Sequence, residues 1–133
     1  INDTTSTMPD STAACIKRFW KLKRKNNKII LIAGGQDKKL DYRQLANIML
    51  KKVEFLVLLP GTATDKIGAE LRSKNKEVRI IQTKSMDDAV KKAYAVAERG
   101  DYIILSPGAA SFGLFLNEFD RGEKFIEAVK KLK

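Results

Sequence analysis

A lysine in a glycine-rich loop, two lone hydroxyls and one carboxylate are the residues of this chain best suited to chemistry. AGGQDKKLD (33–41) follows an apolar run and carries Lys38 shortly after Gly34 and Gly35. Paired glycines permit a tight turn and let a ligand approach backbone N–H groups, and the lysine adds a cation. SPGAASFG (106–113) follows another apolar run. In it Pro107 and Gly108 force a turn, Ala109 and Ala110 leave room, and Ser111 presents a hydroxyl. NDTTST (2–7) precedes Pro9, a natural first position of a helix. An open helix N-terminus with a hydroxyl such as that of Thr7 can hold a carboxylate. Asp3 can accept hydrogen bonds from a sugar diol. This set suits recognition of an anionic small molecule. The chain has no histidine, so Ser111 is not the nucleophile of a Ser-His-Asp triad. The same absence removes the commonest general base and metal ligand and argues against a zinc site. Neither GxxxxGK[ST] nor GxGxxG occurs, so no primary site for the phosphates of ATP is expected here.

Each stretch also has a plainer reading, and the residues alone leave both open. Lys38 serves equally as an exposed lysine in a strand-to-helix loop. NDTTSTMP serves as a helix start with Thr7 or Met8 at the cap. SPGAASFG serves as a tight loop whose phenylalanines fill the core. PGTATD (60–65) reads as a simple connection with Thr62 or Thr64 as cap. The basic cluster KRFWKLKRKNNK (17–28) interleaves aromatics with cations, a pattern that binds single-stranded nucleic acid. Phe19 and Trp20 also fit the buried face of an amphipathic helix, so a solvated helix and no nucleic-acid partner are expected.

Strands and helices must position these residues. IILIA (29–33), VEFLVLL (53–59), VRIIQ (78–82) and YIILS (102–106) are nearly continuous in apolar residues, as strands buried on both faces should be. Helical patterns lie between them. The first runs from Pro9 to about Lys23, with Ala13, Ile16, Phe19, Trp20 and Leu22 roughly on one face. The second begins near Asp41 and the third spans about 62–74. The fourth opens on Ser85 and Asp88, which resemble a capping box, and Gly100 supplies its stop. The last runs from about Phe119 to Leu132, with Phe125, Val129 and Leu132 inward. Alternation at this spacing gives βαβ units and a mainly parallel sheet. The expected fold is one Rossmann-like α/β domain in three layers. Ligands of such sheets bind beyond the C-terminal strand ends, where all four loop stretches are expected to lie.

The bulk numbers agree with a single globular domain. The chain has 133 residues, 44% apolar and 32% charged, enough for one core. No apolar run reaches the roughly 18 residues of a membrane span, and residues 1–16 show no secretory signal. One cysteine, Cys15, rules out an internal disulfide and fits a reducing cytoplasm. A net charge of +10 permits anionic partners, although most of these charges read as solvated surface. The chain opens at Ile1 directly on a motif-like stretch, as a piece of a longer protein would.

Taken together, the stretches resemble a known family. AGGQDKKLDY resembles the AGG-x-x-K-x-x-D-[FY] loop of the D-glutamate-adding branch of the Mur ligases. LSPGAASFGLFLNEFDRGEKF resembles its LLSPA-x-ASFD-x-F-x-x-[FY]-x-x-RG-x-x-F segment, and NDTTSTMPDSTAA its NDSKATN or NDST-x-T-x-PEAT segment. The three stand in the family's order and cover the whole chain. Their register favours this branch over the other Mur ligases and over folylpolyglutamate synthase. The resemblance implies the C-terminal domain of a three-domain cytoplasmic enzyme, a monomer, with UDP-binding and ATPase domains upstream. It implies that ATP, with Mg2+, phosphorylates the carboxylate of UDP-N-acetylmuramoyl-L-alanine. The amine of D-glutamate then attacks the acyl phosphate and phosphate leaves. In this reading Lys38 and Thr7 meet the α-carboxylate of D-glutamate and Ser111 its side-chain carboxylate. Phe112 and Phe119 line the pocket, Asp3 contacts the ATP ribose, and Thr5 stands where many members carry a lysine near the nucleotide. No catalytic or metal-ligating residue is implied within the chain. Gly113 departs from the family's usual aspartate, and Gln36 and Asp37 from a usual Asp-Arg or Asp-Gly pair. The residues without the resemblance support a non-catalytic module binding a nucleotide or another anion.

Overall fold

The apolar runs become the strands of a parallel sheet because the central side chains, on either face, have a helix to pack against. A computed structural model describes residues 1–74, 78–111 and 113–132. The order is α1 (Pro9–Leu22), β1 (Ile29–Ala33), α2 (Arg43–Lys52), β2 (Phe55–Leu58), α3 (Thr62–Ser73), β3 (Arg79–Gln82), α4 (Met86–Val96), β4 (Tyr102–Leu105) and α5 (Glu118–Lys130). The strands form one four-stranded sheet in the order β3-β2-β1-β4, and every pairing is parallel. Asn2 adds an isolated parallel bridge to Leu105 at the outer edge of β4.

Strand alternation sorts the core into two halves. Ile29, Leu31, Leu56, Leu58 and Ile104 face α1, α2 and α3. Ile30, Ile32, Val57 and Leu105 face α4 and α5, where Met86, Val90, Phe125 and Ala128 meet them. This is the expected three-layer α/β arrangement.

The expectation that all four strands are buried on both faces fails at β3. Its residues are exposed or half-buried because it is an edge strand with one neighbour. The apolar face of α1 is also rotated from expectation. Pro9, Thr12 and Ile16 are buried, while Trp20 is 37% exposed and Leu22 is exposed. Thr12 turns inward because its hydroxyl donates to the Ser106 carbonyl (3.2 Å). Phe19 packs its ring against Tyr102, with centroids 5.2 Å apart.

Several helix ends differ as well. α2 starts at Arg43, after Asp41 accepts a bond from the Arg43 backbone N–H (3.0 Å). α4 stops at Val96, short of Gly100, which serves a later turn at φ 94°. That turn is held by Asp101, whose carboxylate accepts from the N–H groups of Glu98 and Lys28. α5 is capped by Asn117 and begins at Glu118, one residue before Phe119. Within it Phe125 points inward, but Val129 is 38% exposed.

Candidate functional site

Backbone hydrogen bonds join the motif-bearing loops into one surface beyond the C-terminal ends of β1 and β4. The N–H of Gly34 donates to the Pro107 carbonyl (2.9 Å). Gln36 and Ala110 exchange two N–H···O bonds of 3.0 Å as an antiparallel bridge. On the other side of the 106–111 loop, the Gly108 N–H donates to the Ser6 carbonyl (2.8 Å). The 106–111 loop is therefore laced between the glycine loop and the 2–7 segment. Ser111 follows the Ala110 bridge directly, Lys38 stands two residues past Gln36, and Thr7 follows Ser6. These three sequence-selected residues thus project from a single framework.

The lysine loop is shaped by Asp37. Its carboxylate accepts from the Tyr42 hydroxyl (3.0 Å) and the Leu40 N–H (3.2 Å), and it forms a close ion pair with Lys66. The Lys66 ammonium foremost, with these donors, holds the Asp37 carboxyl at about 2. Tyr42 moves in the opposite direction: burial and then Asp37 raise its phenol. Lys38 sits exposed on the resulting loop, and among the described residues no carboxylate lies within ion-pair distance of it. Its charge is directed to solvent, where an anionic ligand could meet it.

The 60–65 connection, read from sequence as a plain link with a threonine cap, supports this same loop. α3 is capped by Gly61 without a side-chain bond. Thr62 accepts instead from the Asp37 N–H (2.9 Å). Thr64 accepts from the Gly35 N–H (3.3 Å) and donates to the Leu59 carbonyl. The approach is so close that a Cβ on Gly61 would lie 2.1 Å from the Gly35 oxygen.

Ser111 is only 6% exposed, and its carbonyl accepts from the Phe115 N–H (3.1 Å). Among the described residues, none takes up its hydroxyl in a hydrogen bond. It lines a slit of about 10 Å³ with Gly35, Ala110, Phe115 and Arg121, too small for an amino acid. A ligand that meets the Ser111 hydroxyl would lie over this slit. Thr7 is half-buried, Thr5 exposed, and neither hydroxyl caps α1, whose cap residue is Met8. Phe119 stands on the first turn of α5 with 64% exposure. Phe112 lies outside the described residues. Gly113 has φ 92°, a backbone that aspartate adopts only with strain, and a Cβ there would meet just Gln36 Oε1 at 3.5 Å. Backbone conformation thus accounts for the glycine.

The residues fit a nucleotide ribose in one respect. Asp3 Oδ2 receives the hydroxyls of Ser6 (2.5 Å) and Ser106 (2.7 Å), and no hydrogen bond among the described residues ends on Oδ1. A half-buried, oriented carboxylate with an acceptor to spare suits a diol. Burial, and then Asp3, push the neighbouring Cys15 thiol up to about 11, so it stays protonated. Among the described residues no group of His, Cys, Asp or Glu converges as metal ligands would. A concavity of about 470 Å³ beside Ile1, Val90, Tyr94 and Phe125 has a mainly apolar lining with Asp101 and without lysine or arginine. It does not suit a dicarboxylate.

One functional candidate escaped the sequence reading. Arg121, 1% exposed, donates to the Thr4 hydroxyl (3.1 Å), the Thr4 carbonyl (2.7 Å) and the Ala109 carbonyl (2.9 Å). The signal was the Arg-Gly pair after a phenylalanine-rich loop, but an arginine on a helix reads as surface until its burial is seen.

The family model described as Mur ligase, glutamate ligase domain, matches residues 1–109. The chain is 40% identical over 131 residues to the UDP-N-acetylmuramoylalanine--D-glutamate ligase of Roseiflexus sp. (strain RS-1). It is 41% identical over 131 residues to that of Borreliella burgdorferi (strain ZS7) and 39% over 137 residues to that of Acetivibrio thermocellus. Each match covers 98% of this chain but only 27–28% of the relative, so the chain spans about a quarter of their length. Among solved structures, Escherichia coli FolC in complex with ADP, without folate substrate, superposes with a TM-score of 0.64 at 16% identity. That match covers 95% of this chain and 28% of FolC, and it shows a shared fold. The family match over most of the chain, on the loops that the sheet brings together, places this chain in the Mur ligase family as its glutamate ligase domain.

Proposed function

We propose that this chain is the amino-acid-binding, C-terminal domain of an ATP-dependent ligase that joins D-glutamate to UDP-N-acetylmuramoyl-L-alanine. The observation that carries this reading is the lacing of the 34–36, 106–111 and 2–7 stretches into one edge, with Lys38 unpaired among the described residues and aimed outward. D-Glutamate brings two carboxylates. In this reading Lys38 and Thr7 hold the α-carboxylate, the Ser111 hydroxyl donates to the side-chain carboxylate, and Phe112 and Phe119 cover the carbon chain. Charge-assisted bonds of this kind are the stronger ones and set orientation as well as affinity. Asp3 and Thr5 face the ribose side of ATP. UDP-binding and ATPase domains upstream supply the phosphate loop and hold Mg2+, and the whole works as a cytoplasmic monomer. ATP supplies the phosphoryl group that activates the acceptor carboxylate. This domain orients the attacking amine of D-glutamate and excludes water as it closes.

Steady-state kinetics of the full-length protein test the assignment. Lys38→Ala is expected to raise the KM for D-glutamate by about 10-fold or more while the KM for ATP stays within about 2-fold, because one charge-assisted bond is lost at one substrate only. Ser111→Ala is expected to weaken discrimination against amino acids that lack the second carboxylate. Equal effects of Lys38→Ala on both substrates, or unchanged discrimination in Ser111→Ala, would refute these roles. Tight nucleotide binding with no D-glutamate-dependent turnover would favour a non-catalytic anion-binding module.

A further inference from the structure

Arg121 is the largest fully buried side chain among the described residues. Among the described residues no carboxylate pairs with it within ion-pair distance; its acceptors are the Thr4 hydroxyl, the Thr4 carbonyl and the Ala109 carbonyl. Burial lowers its guanidinium to about 10, which still leaves it charged at neutral pH. A buried cation held by neutral oxygens is a costly way merely to fill a core, since an apolar side chain of similar volume avoids the desolvation. What an arginine can do here, and an apolar residue cannot, is bond two loops at once with a rigid fork.

The loops that it joins are the two sides of the candidate site. Thr4 follows Asp3, the carboxylate assigned to the ribose. Ala109 lies two residues before Ser111, the hydroxyl assigned to the amino acid. The Thr4 hydroxyl also donates to the Glu118 carbonyl (2.6 Å), which ties in the first turn of α5 next to Phe119. We propose that Arg121 is a positioning residue that couples the amino-acid side of the site to its nucleotide side by fixing the 106–111 loop against the 2–7 segment. The inference rests on the ligase reading above and extends it to a residue that touches neither substrate.

The test is made in the full-length protein. Arg121→Met should raise the KM for D-glutamate and the KM for ATP together, each by about 10-fold or more, the scale that ångström-level misplacement gives. Arg121→Lys, which keeps the charge without the fork, should fall between. Thr4→Val removes the hydroxyl, and with it the bonds to Arg121 and the Glu118 carbonyl, while retaining the arginine and its bonds to the Thr4 and Ala109 carbonyls; it should move the same two constants in the same direction by about 3-fold. If Arg121→Met does not fold, these two milder variants decide the matter. A purely structural role would lower kcat through the active fraction and leave both constants unchanged, which would overturn the proposal. A rise in the D-glutamate constant alone would overturn the coupling. Lys38→Ala is the reference: if it behaves as expected while the Arg121 and Thr4 variants do not, only the positioning role fails. Amide hydrogen exchange supplies a readout independent of turnover. Thr4→Val should speed exchange at Gly108 and Ala110 with the sheet amides unchanged, and unaltered exchange at those two sites would refute the proposal even if the protein lacks ligase activity.

Discussion

Asp37 is the carboxylate around which the lysine loop turns. It takes donors from Leu40, Tyr42 and Lys66, while its own N–H is taken by Thr62. Lys39 next to Lys38 adopts a left-handed backbone (φ 63°), which this anchoring supports. The Asp37 carboxyl lies at about 2 against an ordinary 3.8, so its contribution to stability is present above pH 3.8 and is lost as pH falls toward 2. Asp37→Asn should therefore lower the Tm at about pH 7, and the gap to wild type should narrow between about pH 4 and pH 2. A gap that stays constant across that range would show that the ionised form is not what holds the loop. None of this was visible from residue 37 alone, because Lys66 and Tyr42 become its partners only when α3 and the start of α2 flank the loop.

Helices α4 and α5 start in the same way, and both starts were partly legible. The Ser85 hydroxyl accepts from the Asp88 N–H (3.1 Å), and the Asp88 carboxylate accepts from the Lys84 N–H (3.0 Å). Asn117 accepts from the Asp120 N–H (2.8 Å), and Asp120 accepts from the Leu116 N–H (3.0 Å). In each, the aspartate reaches one residue beyond the cap, satisfying another donor at the helix mouth. Ser85→Ala and Asn117→Ala should each cost about 1 kcal/mol of stability in urea unfolding. Only Asn117→Ala should also raise the KM for D-glutamate, since α5 carries Phe119 and Arg121 whereas α4 carries no residue assigned to the site. Matching kinetic effects from both would mean that helix stability, not site geometry, is being read. The Ser85 cap pair is legible because it is local; at α5 the sequence places the start at about Phe119, one residue past Glu118, and misses the Asn117 cap because the phenylalanine-rich run before it masks the switch to helical spacing.

The whole domain carries +10. On its basic helix Trp20 is exposed, and Lys23 Nζ and Lys52 Nζ stand 4.3 and 4.6 Å from its ring centroid. These cation–π contacts already engage the ring. The domain also lacks a GxxxxGK[ST] loop, so residues 1–133 alone should show no ligase turnover, measured as phosphate release with D-glutamate and UDP-N-acetylmuramoyl-L-alanine present. Turnover by the isolated domain would overturn the division of labour proposed for the longer protein.

The fold class, the parallel sheet and the candidate loops followed from local features: apolar runs of strand length, helical spacing between them, and glycine, proline and hydroxyl residues at strand ends. Such features act over a few residues, so they are present in the linear chain. Tertiary structure alone decided which loops touch. The bridge between Gln36 and Ala110, the bond from Gly108 to Ser6, the service of Thr62 and Thr64 to the glycine loop, and the burial of Arg121 between Thr4 and Ala109 all join residues far apart in sequence. Those of the glycine loop arise because β1 lies between β2 and β4 and delivers its loop to both neighbours, and those of Ser6 and Thr4 because the first residues run along the outer edge of β4, an order that no single segment encodes.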